Sequence, residues 1–282
     1  MSRIAYVNGR YVPHREAAVH IEDRGYQFAD GVYEVTAVRG GRLVDEERHL
    51  KRLDRSLGEL KIAPPMSHAA LKFVCREVVR RNGVHDGIVY LQVTRGVAPR
   101  DHPFPKDAAP SIVVTSRRAK GAPQKSVDEG IGVISIPDQR WARCDIKSIS
   151  LLPNILGKQQ AREAGAYEAW QIDRDGNVTE GTSTNAWIVT GKGEVVTRRA
   201  DSTILNGVTR RAIIEIIAAQ GLTFAERPFS LAEAKEAREA FLTSTTSFVL
   251  PVVRIDGKPV GDGKPGEFTK KLRAAYARQI SN

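Results

Sequence analysis

The sequence predicts an α+β fold: two domains with mainly antiparallel sheets and segregated helices. Three observations carry this. Turn dipeptides that tolerate positive φ recur between short β-rich runs. Amphipathic helical stretches are few and stand apart from those runs. The length, 282 residues, suits two ordinary domains. Strands arranged as hairpins beside separate helices indicate α+β rather than a parallel doubly wound sheet.

Each hairpin is marked by its turn. Asn8-Gly9 divides 4–7 from 10–12, and Gly40-Gly41 follows 32–38. Asp175-Gly176 separates 167–172 from 178–179. Gly191-Lys192-Gly193 separates 185–189 from 194–197, and Asp256-Gly257 follows 252–255. Helical spacing marks 45–60, where Leu50, Leu53, Leu57 and Leu60 recur at three or four residues, and 68–81, with Leu71, Val74, Val78 and Val79. A third helix, 208–220, carries Ile213, Ile214, Ile216 and Ile217 and stops before Gly221. Two more are expected at 231–237 and 267–279. A polar stretch with Gly and Pro, 119–124, is the expected linker between an N-terminal domain (1–118) and a C-terminal, cofactor-binding domain (125–282).

Composition narrows the function. At 41% hydrophobic and 27% charged, the chain can bury a sizeable core. The stretch 1–6 shows no signal pattern, no apolar run is long enough to cross a bilayer, and the only cysteines are Cys75 and Cys144. A cytoplasmic location is expected. The net charge of +10 raises a nucleic-acid-binding protein as a rival reading. The basic residues are scattered pairs such as Arg80-Arg81 and Arg210-Arg211, with no basic tail or aromatic-interleaved stripe, so neither nucleic acid nor membrane is the expected partner. Six histidines without HxxxH or CxxC spacing argue against zinc. Nucleotide-loop and nucleophile-elbow motifs are missing too.

The segments with chemical content are separated along the chain. Lys147 lies in 143–154, RCDIKSISLLPN, a strand-like stretch that soon turns apolar. A lysine held from water loses part of the stabilisation of its charge, and a neutral amine can attack a carbonyl and hold it as a Schiff base. A solvated strand-edge lysine is the plain alternative. Glu180, in 178–185, VTEGTSTN, could pair with a protonated heteroaromatic nitrogen and so support an electron-accepting ring; an exposed turn glutamate is the alternative. Asn206 to Arg210 open a helix, where the N–H groups of Val208 and Thr209 form an anion site or an ordinary cap. Ser244 and Thr245, within the hydroxyl cluster 243–247, could close on the same phosphate, and Arg52 could add charge. Arg100 and His102 share a loop that could grip a carboxylate, although Asp101 between them would have to point away. Tyr33 and Val35 fall on one strand face and could line a pocket.

Taken in order, these segments closely resemble D-amino acid aminotransferases of the fold-type IV pyridoxal-phosphate enzymes. The carrying stretches are EDRGYQFADGVYEV at 22–35, TRG…PRDH ending at His102, RCDIKSISLLPN, VTEGTSTN, ILNGVTR at 204–210 and LTSTTS at 242–247. The resemblance implies pyridoxal 5'-phosphate bound to Lys147, which also shuttles the proton. Glu180 would pair with the ring nitrogen. Arg52, Val208, Thr209, Ser244 and Thr245 would hold the phosphate, and Leu205 would pack against the ring. Tyr33, Val35, Arg100 and His102 would receive the substrate, the last two across a homodimer interface. Transamination between a D-amino acid such as D-alanine and a 2-oxo acid such as 2-oxoglutarate is then expected. An L-branched-chain aminotransferase or an aminodeoxychorismate lyase on the same scaffold is the alternative. Phe248, where relatives often carry glutamate, and Asn206 and Pro153 depart from the familiar pattern and could alter pocket shape.

Overall fold

The computed structural model describes residues 3–281, so Met1 and Ser2 of the N-terminal stretch read above lie outside the described residues. The chain divides into two compact units. The first runs to Lys120 and also takes Ile146–Ser150; the second holds Gly121–Asp145 and everything from Leu151 onward. The expected division left 146–150 with the C-terminal domain. The segment joins the first unit because Ile146 enters its core and Ser148 bridges Val32.

The first unit is a six-stranded antiparallel sheet with helices on one face. Its strands are β1 (Ile4–Val7), β2 (Arg10–Pro13), β3 (Gly31–Arg39), β4 (Arg42–Leu43), β5 (Gly87–Thr94) and β6 (Ser111–Arg118), in the order β2-β1-β6-β5-β3-β4. A 3-10 turn at His14–Glu16 and three α-helices accompany them: α1 (Arg24–Phe28), α2 (Glu46–Glu59) and α3 (His68–Arg81). The turn at Asn8 (φ 43°) and Gly9 (φ 94°) uses two left-handed residues, which the twist of a tight hairpin requires. Leu50, Leu53 and Leu57 of α2 and Leu71, Val74 and Val78 of α3 share one core with Val32, Val38, Val89, Leu91 and Val114. Alternation along β3 puts Val32, Glu34 and Thr36 on the buried face and leaves Tyr33 and Val35 half-buried on the other.

The second unit is built on a nine-stranded mixed sheet. It contains α4 (Gln124–Asp128), β7 (Ile131–Pro137), α5 (Leu152–Glu163), β8 (Glu168–Ile172), β9 (Val178–Gly181), β10 (Asn185–Val189) and β11 (Val195–Thr197). There follow α6 (Val208–Ala219), β12 (Phe224–Glu226), α7 (Leu231–Glu236), β13 (Glu239–Ser244), β14 (Phe248–Ile255), β15 (Lys258–Pro259) and α8 (Glu267–Ser281). The strand order is β12-β11-β10-β13-β14-β7-β8-β9, with β15 beside β14. Most pairs are antiparallel, but β7 runs parallel to β14 and β8, and β11 parallel to β12. Every residue of β10 is buried, because the sheet is covered on both sides. Ala186 and Ile188 enter one core with Trp170 and Leu242, while Trp187 and Val189 enter another with Ile213, Ile217 and Tyr276.

One expectation needs correction. The stretch after Lys147 does not continue as a strand: beyond the single bridge at Ser148 the chain enters α5, with Pro153 in its first turn. The boundary between the units, after Lys120, falls within 119–124, and Gln124 begins α4. Among the described residues no helix is long and apolar enough to cross a membrane.

Candidate active site

In the first unit, the backbone around Lys147 is fixed on both sides. Tyr33 N donates to Lys147 O at 3.0 Å, and Ile149 N donates to Gly31 O at 3.0 Å. Lys147 N donates to Ser56 Oγ of α2 at 3.3 Å. This docking needs Gly31, since a Cβ there would stand 2.6 Å from Val93 O and 3.1 Å from Ile149 Cδ1. The Lys147 ammonium lies 4.1 Å from the centroid of the Tyr33 ring. Tyr33 in turn stacks on Tyr90 at 5.7 Å, and Tyr90 donates its hydroxyl to Gln92 Oε1 at 2.6 Å. Burial, and then the neighbouring Tyr33, push the Tyr90 phenol up to about 12. Val35 pairs with Tyr90 across the ladder, so Tyr33, Val35, Tyr90 and Gln92 share one half-buried face. Sequence reasoning missed Tyr90 and Gln92, which lie on a different strand from the motif.

Arg52 is on α2, buried, with its guanidinium forked onto Glu34: Nε to Oε1 and Nη2 to Oε2, both at 2.8 Å. His49 Nδ1 lies 2.7 Å from the same carboxylate. Burial alone would raise Glu34, but Arg52 and His49 bring it down to about 2. Arg52 therefore has a carboxylate partner that the sequence reading did not give it.

Arg100 and His102 are exposed and gather around Phe28, with the Arg100 guanidinium carbon 4.5 Å and the His102 ring 5.5 Å from its centroid. Their loop is pinned from below. Buried Arg24 donates to Asp101 O at 2.6 Å and His102 O at 3.2 Å, and its Nε holds Asp30 at 2.8 Å. Asp101 turns its carboxylate to the His102 backbone N–H at 2.8 Å.

In the second unit, Glu180 on β9 is the centre of a dense network. Its carboxylate accepts from Arg140 Nη1, from Asn185 Nδ2 at 2.9 Å, and from Leu205 N at 3.1 and 3.2 Å. Arg140 is forked onto Asp138, Nε to Oδ1 at 3.0 Å and Nη2 to Oδ2 at 2.7 Å, and also reaches Thr203 O at 3.1 Å. Two carboxylates thus share one guanidinium. Asp138 is drawn down by Arg140 and Thr179 although burial opposes it. Glu180 goes the other way: burial raises it, and Arg140 offsets only part of that. None of Asp138, Arg140 and Asn185 emerged from sequence reasoning as a site residue. Asn185 stands inside the motif VTEGTSTN and was legible as a polar residue at a strand start; Arg140 stands 40 positions from Glu180 and gave no local signal.

Asn185 also connects Glu180 to the start of α6. It donates to Leu205 O at 2.9 Å, and its Oδ1 fills the space where Gly207 would carry a Cβ. Gly207 is the N-cap and supplies no capping side chain, while Val208 and Thr209 of the first turn are buried. Asn185 pairs with Thr243 on β13, so the hydroxyl turn begins beside it. There Ser244 Oγ bonds Ser247 Oγ at 2.7 Å, Thr245 is half-buried, and Phe248 takes a left-handed φ of 60°. Leu205 is half-buried and Asn206 exposed. The small hydroxyl residues after Glu180 face a second buried carboxylate, Glu168, which accepts from Thr182, Ser183 and Thr184 at 2.5, 3.2 and 3.3 Å.

Comparison with known proteins adds three findings. The family described as amino-transferase class IV matches residues 31–255. A D-alanine aminotransferase of Bacillus licheniformis is 42% identical over 273 residues, covering 97% of this chain and 95% of that protein, and one of Staphylococcus haemolyticus is 37% identical over 98% of each. Among solved structures, the branched-chain amino acid aminotransferase of Escherichia coli superposes with TM-score 0.91 at 22% identity, over 99% of this chain and 95% of that one. A branched-chain amino acid aminotransferase from T.th., with pyridoxamine 5'-phosphate, superposes at 0.90 and 25% identity, over 99% of this chain and 94% of that one.

Proposed function

Because the chain belongs to the amino-transferase class IV family, we propose that it moves the amino group of a D-amino acid, such as D-alanine, to a 2-oxo acid, such as 2-oxoglutarate, in two half-reactions. The observation that carries this is Glu180: a buried carboxylate whose arginine partner is already forked onto Asp138. The preference for the D-series is supported by the near full-length relatives named D-alanine aminotransferase.

Pyridoxal 5'-phosphate is the cofactor of this family, and two features of the chain fit it. The Asp138–Arg140–Glu180 cluster holds two carboxylates and one guanidinium, so it is short of one positive charge, which a protonated ring nitrogen supplies. The start of α6 presents buried N–H groups without a capping side chain, suited to a phosphate. When bound, the ring withdraws electrons from the substrate's α-carbon.

The residues then take these roles. Lys147 would hold the cofactor through Nζ until the substrate's amino group takes its place; the freed amine would then take the proton from the substrate's α-carbon and deliver it to the cofactor's former aldehyde carbon. Its main chain, tied to Tyr33 and Ser56, gives that amine a fixed base. Val208 and Thr209 offer N–H groups to the phosphate, Ser244 and Thr245 hydroxyls, and Arg52 positive charge. Leu205 packs against the ring while its own N–H steadies Glu180. Tyr33 and Val35 form one wall for the substrate, and Arg100 and His102 hold its carboxylate by charge-assisted hydrogen bonds. Which substituent faces Lys147, and hence which enantiomer reacts, follows from where the carboxylate is held.

A homodimer is supported by the exposed apolar stripe of α5: Leu152, Ile155 and Leu156 are 67%, 60% and 54% exposed at helical spacing. A cytoplasmic setting is supported by two free, buried thiols. A second reading, an L-branched-chain aminotransferase, is supported by the likeness to those structures. The test is the absorbance spectrum of the purified protein before and after D-alanine, then L-alanine and L-valine. D-alanine alone should discharge the cofactor band with pyruvate released; a response to L-valine alone selects the second reading, and a colourless protein unresponsive to added cofactor overturns both.

A further inference from the structure

The charge on Glu180 is set by side chains that never need to touch a substrate. Glu180 lies on β9, and three neighbours hold it: Arg140 from the loop after β7, Asn185 from β10 and the Leu205 N–H from the segment before α6. The titratable and charged groups around it are few. Arg140 is the cation. Asp138 is the second anion. Cys144, raised to about 12 chiefly by burial, stays a neutral thiol. Asp145, nearby in sequence, is forked by its own partner Arg143, at 3.0 and 3.1 Å. Asn185 and Thr179 are neutral donors. With both carboxylates ionised, Asp138, Arg140 and Glu180 sum to one negative charge in a water-poor place.

The guanidinium presents two nitrogens to Asp138 and one to Glu180. Asp138 takes Nε and Nη2 in a bidentate pair, whereas Glu180 takes Nη1 alone. The Arg140 backbone N–H also donates to Asp138 Oδ1 at 3.1 Å, and the Thr179 hydroxyl lies 2.8 Å from Oδ2. Asp138 is thus the anchor, and Arg140 is the rod it holds.

We propose that Asp138 and Arg140 are positioning residues that set how strongly Glu180 holds the protonated ring nitrogen: Asp138 draws off the charge of Arg140, and the charge that remains tempers the pull of the carboxylate. This rests on the reading of Glu180 as the partner of that nitrogen. Removing the Asp138 charge leaves all of Arg140 acting on Glu180, so its pull on a second cation weakens. Removing the Arg140 charge strengthens that pull. A network that only braced the fold would respond to both changes in the same direction.

The test is equilibrium binding to the cofactor-free protein, comparing pyridoxal phosphate with its 1-deaza analogue, whose ring carries C–H in place of the nitrogen. The ratio of the two affinities reads the Glu180 contact and cancels general damage to the site. Wild type should prefer the natural ring. Asp138→Asn should lower the ratio about tenfold, the effect of roughly one pKa unit on the bound proton. Arg140→Gln should raise the ratio, and Arg140→Lys, which keeps the charge, should bring it back toward wild type. Should Asp138→Asn fail to fold, the Gln and Lys variants at position 140 decide the matter alone. A ratio unmoved by Asp138→Asn and Arg140→Gln, or moved the same way by both, overturns the proposal. A wild type that binds both rings equally would instead remove the Glu180 assignment beneath it.

Discussion

Glu34 in the first unit and Glu180 in the second are both buried carboxylates set against an arginine, and their proton affinities are driven in opposite directions. Glu34 takes both nitrogens of the Arg52 fork and has His49 beside it. Glu180 receives a single Arg140 nitrogen, because the fork is turned to Asp138. Desolvation disfavours both anions; what differs is the cationic compensation. Glu34 is satisfied within the fold and braces β3 against α2. Glu180 has one guanidinium nitrogen where Glu34 has two, which is what the proposed pairing with a protonated ring nitrogen requires.

That contrast breaks most sharply in activity. Glu180→Gln should slow the D-alanine half-reaction roughly 10²- to 10³-fold, the scale for losing one electrostatic stabiliser, with cofactor still bound, as stopped-flow absorbance would read. An unchanged single-turnover rate would leave Glu180 as another bracing group. Glu34→Gln should act on stability instead. It removes the anion that the Arg52 fork holds in the core and should cost about 3–5 kcal/mol by urea denaturation, while Glu180→Gln in the cofactor-free protein should cost far less. Equal losses would dissolve the distinction.

Acid titration sharpens it. Burial opposes ionisation of Glu34, yet Arg52 and His49 hold it at about 2 against an ordinary 4.5. Its contribution is therefore present above pH 4.5 and lost as the pH falls toward 2, a span worth about 3 kcal/mol. Glu180 is raised, so in the cofactor-free protein its contribution is present below 4.5 and lost as the pH rises through its folded value. Unfolding free energies of wild type and each Gln variant across that range would show slopes of opposite sign. The smallest expected effect compares helix starts. Ser67 caps α3 through Ala70 N at 3.3 Å, so Ser67→Ala should cost about 1 kcal/mol. The start of α6 has no such side chain, and its unfolding midpoint should respond to added pyridoxal phosphate more than to any capping change.

Much of the fold was legible because its signals are local. Asn8-Gly9 and Asp256-Gly257 announce their hairpins through residues that accept positive φ, and the Leu spacing of α2 marks the face it buries. The helix α5 was missed because its larger apolar residues face outward: Gly157 and Ala161 are its buried positions, while Leu152, Ile155 and Leu156 are exposed. The parallel neighbours of β7 were illegible because Ile131 meets Val252, a pairing no short window contains. For the candidate site, Lys147 and Glu180 came from motif order and chemistry. Their supporting partners did not, since Glu34 reaches Arg52 over 18 positions and Arg140 reaches Glu180 over 40. A buried ion pair is a three-dimensional coincidence of ordinary surface residue types, and the sequence gives no period to find it by.

In the proposed reaction the amine of Lys147 carries the cofactor. Reduction of the purified protein with borohydride in the presence of pyridoxal phosphate, followed by peptide mass spectrometry, tests it directly. One phosphopyridoxyl label is expected, on the peptide containing Lys147, and none in Lys147→Ala. A label on another lysine with Lys147 unmodified would contradict it.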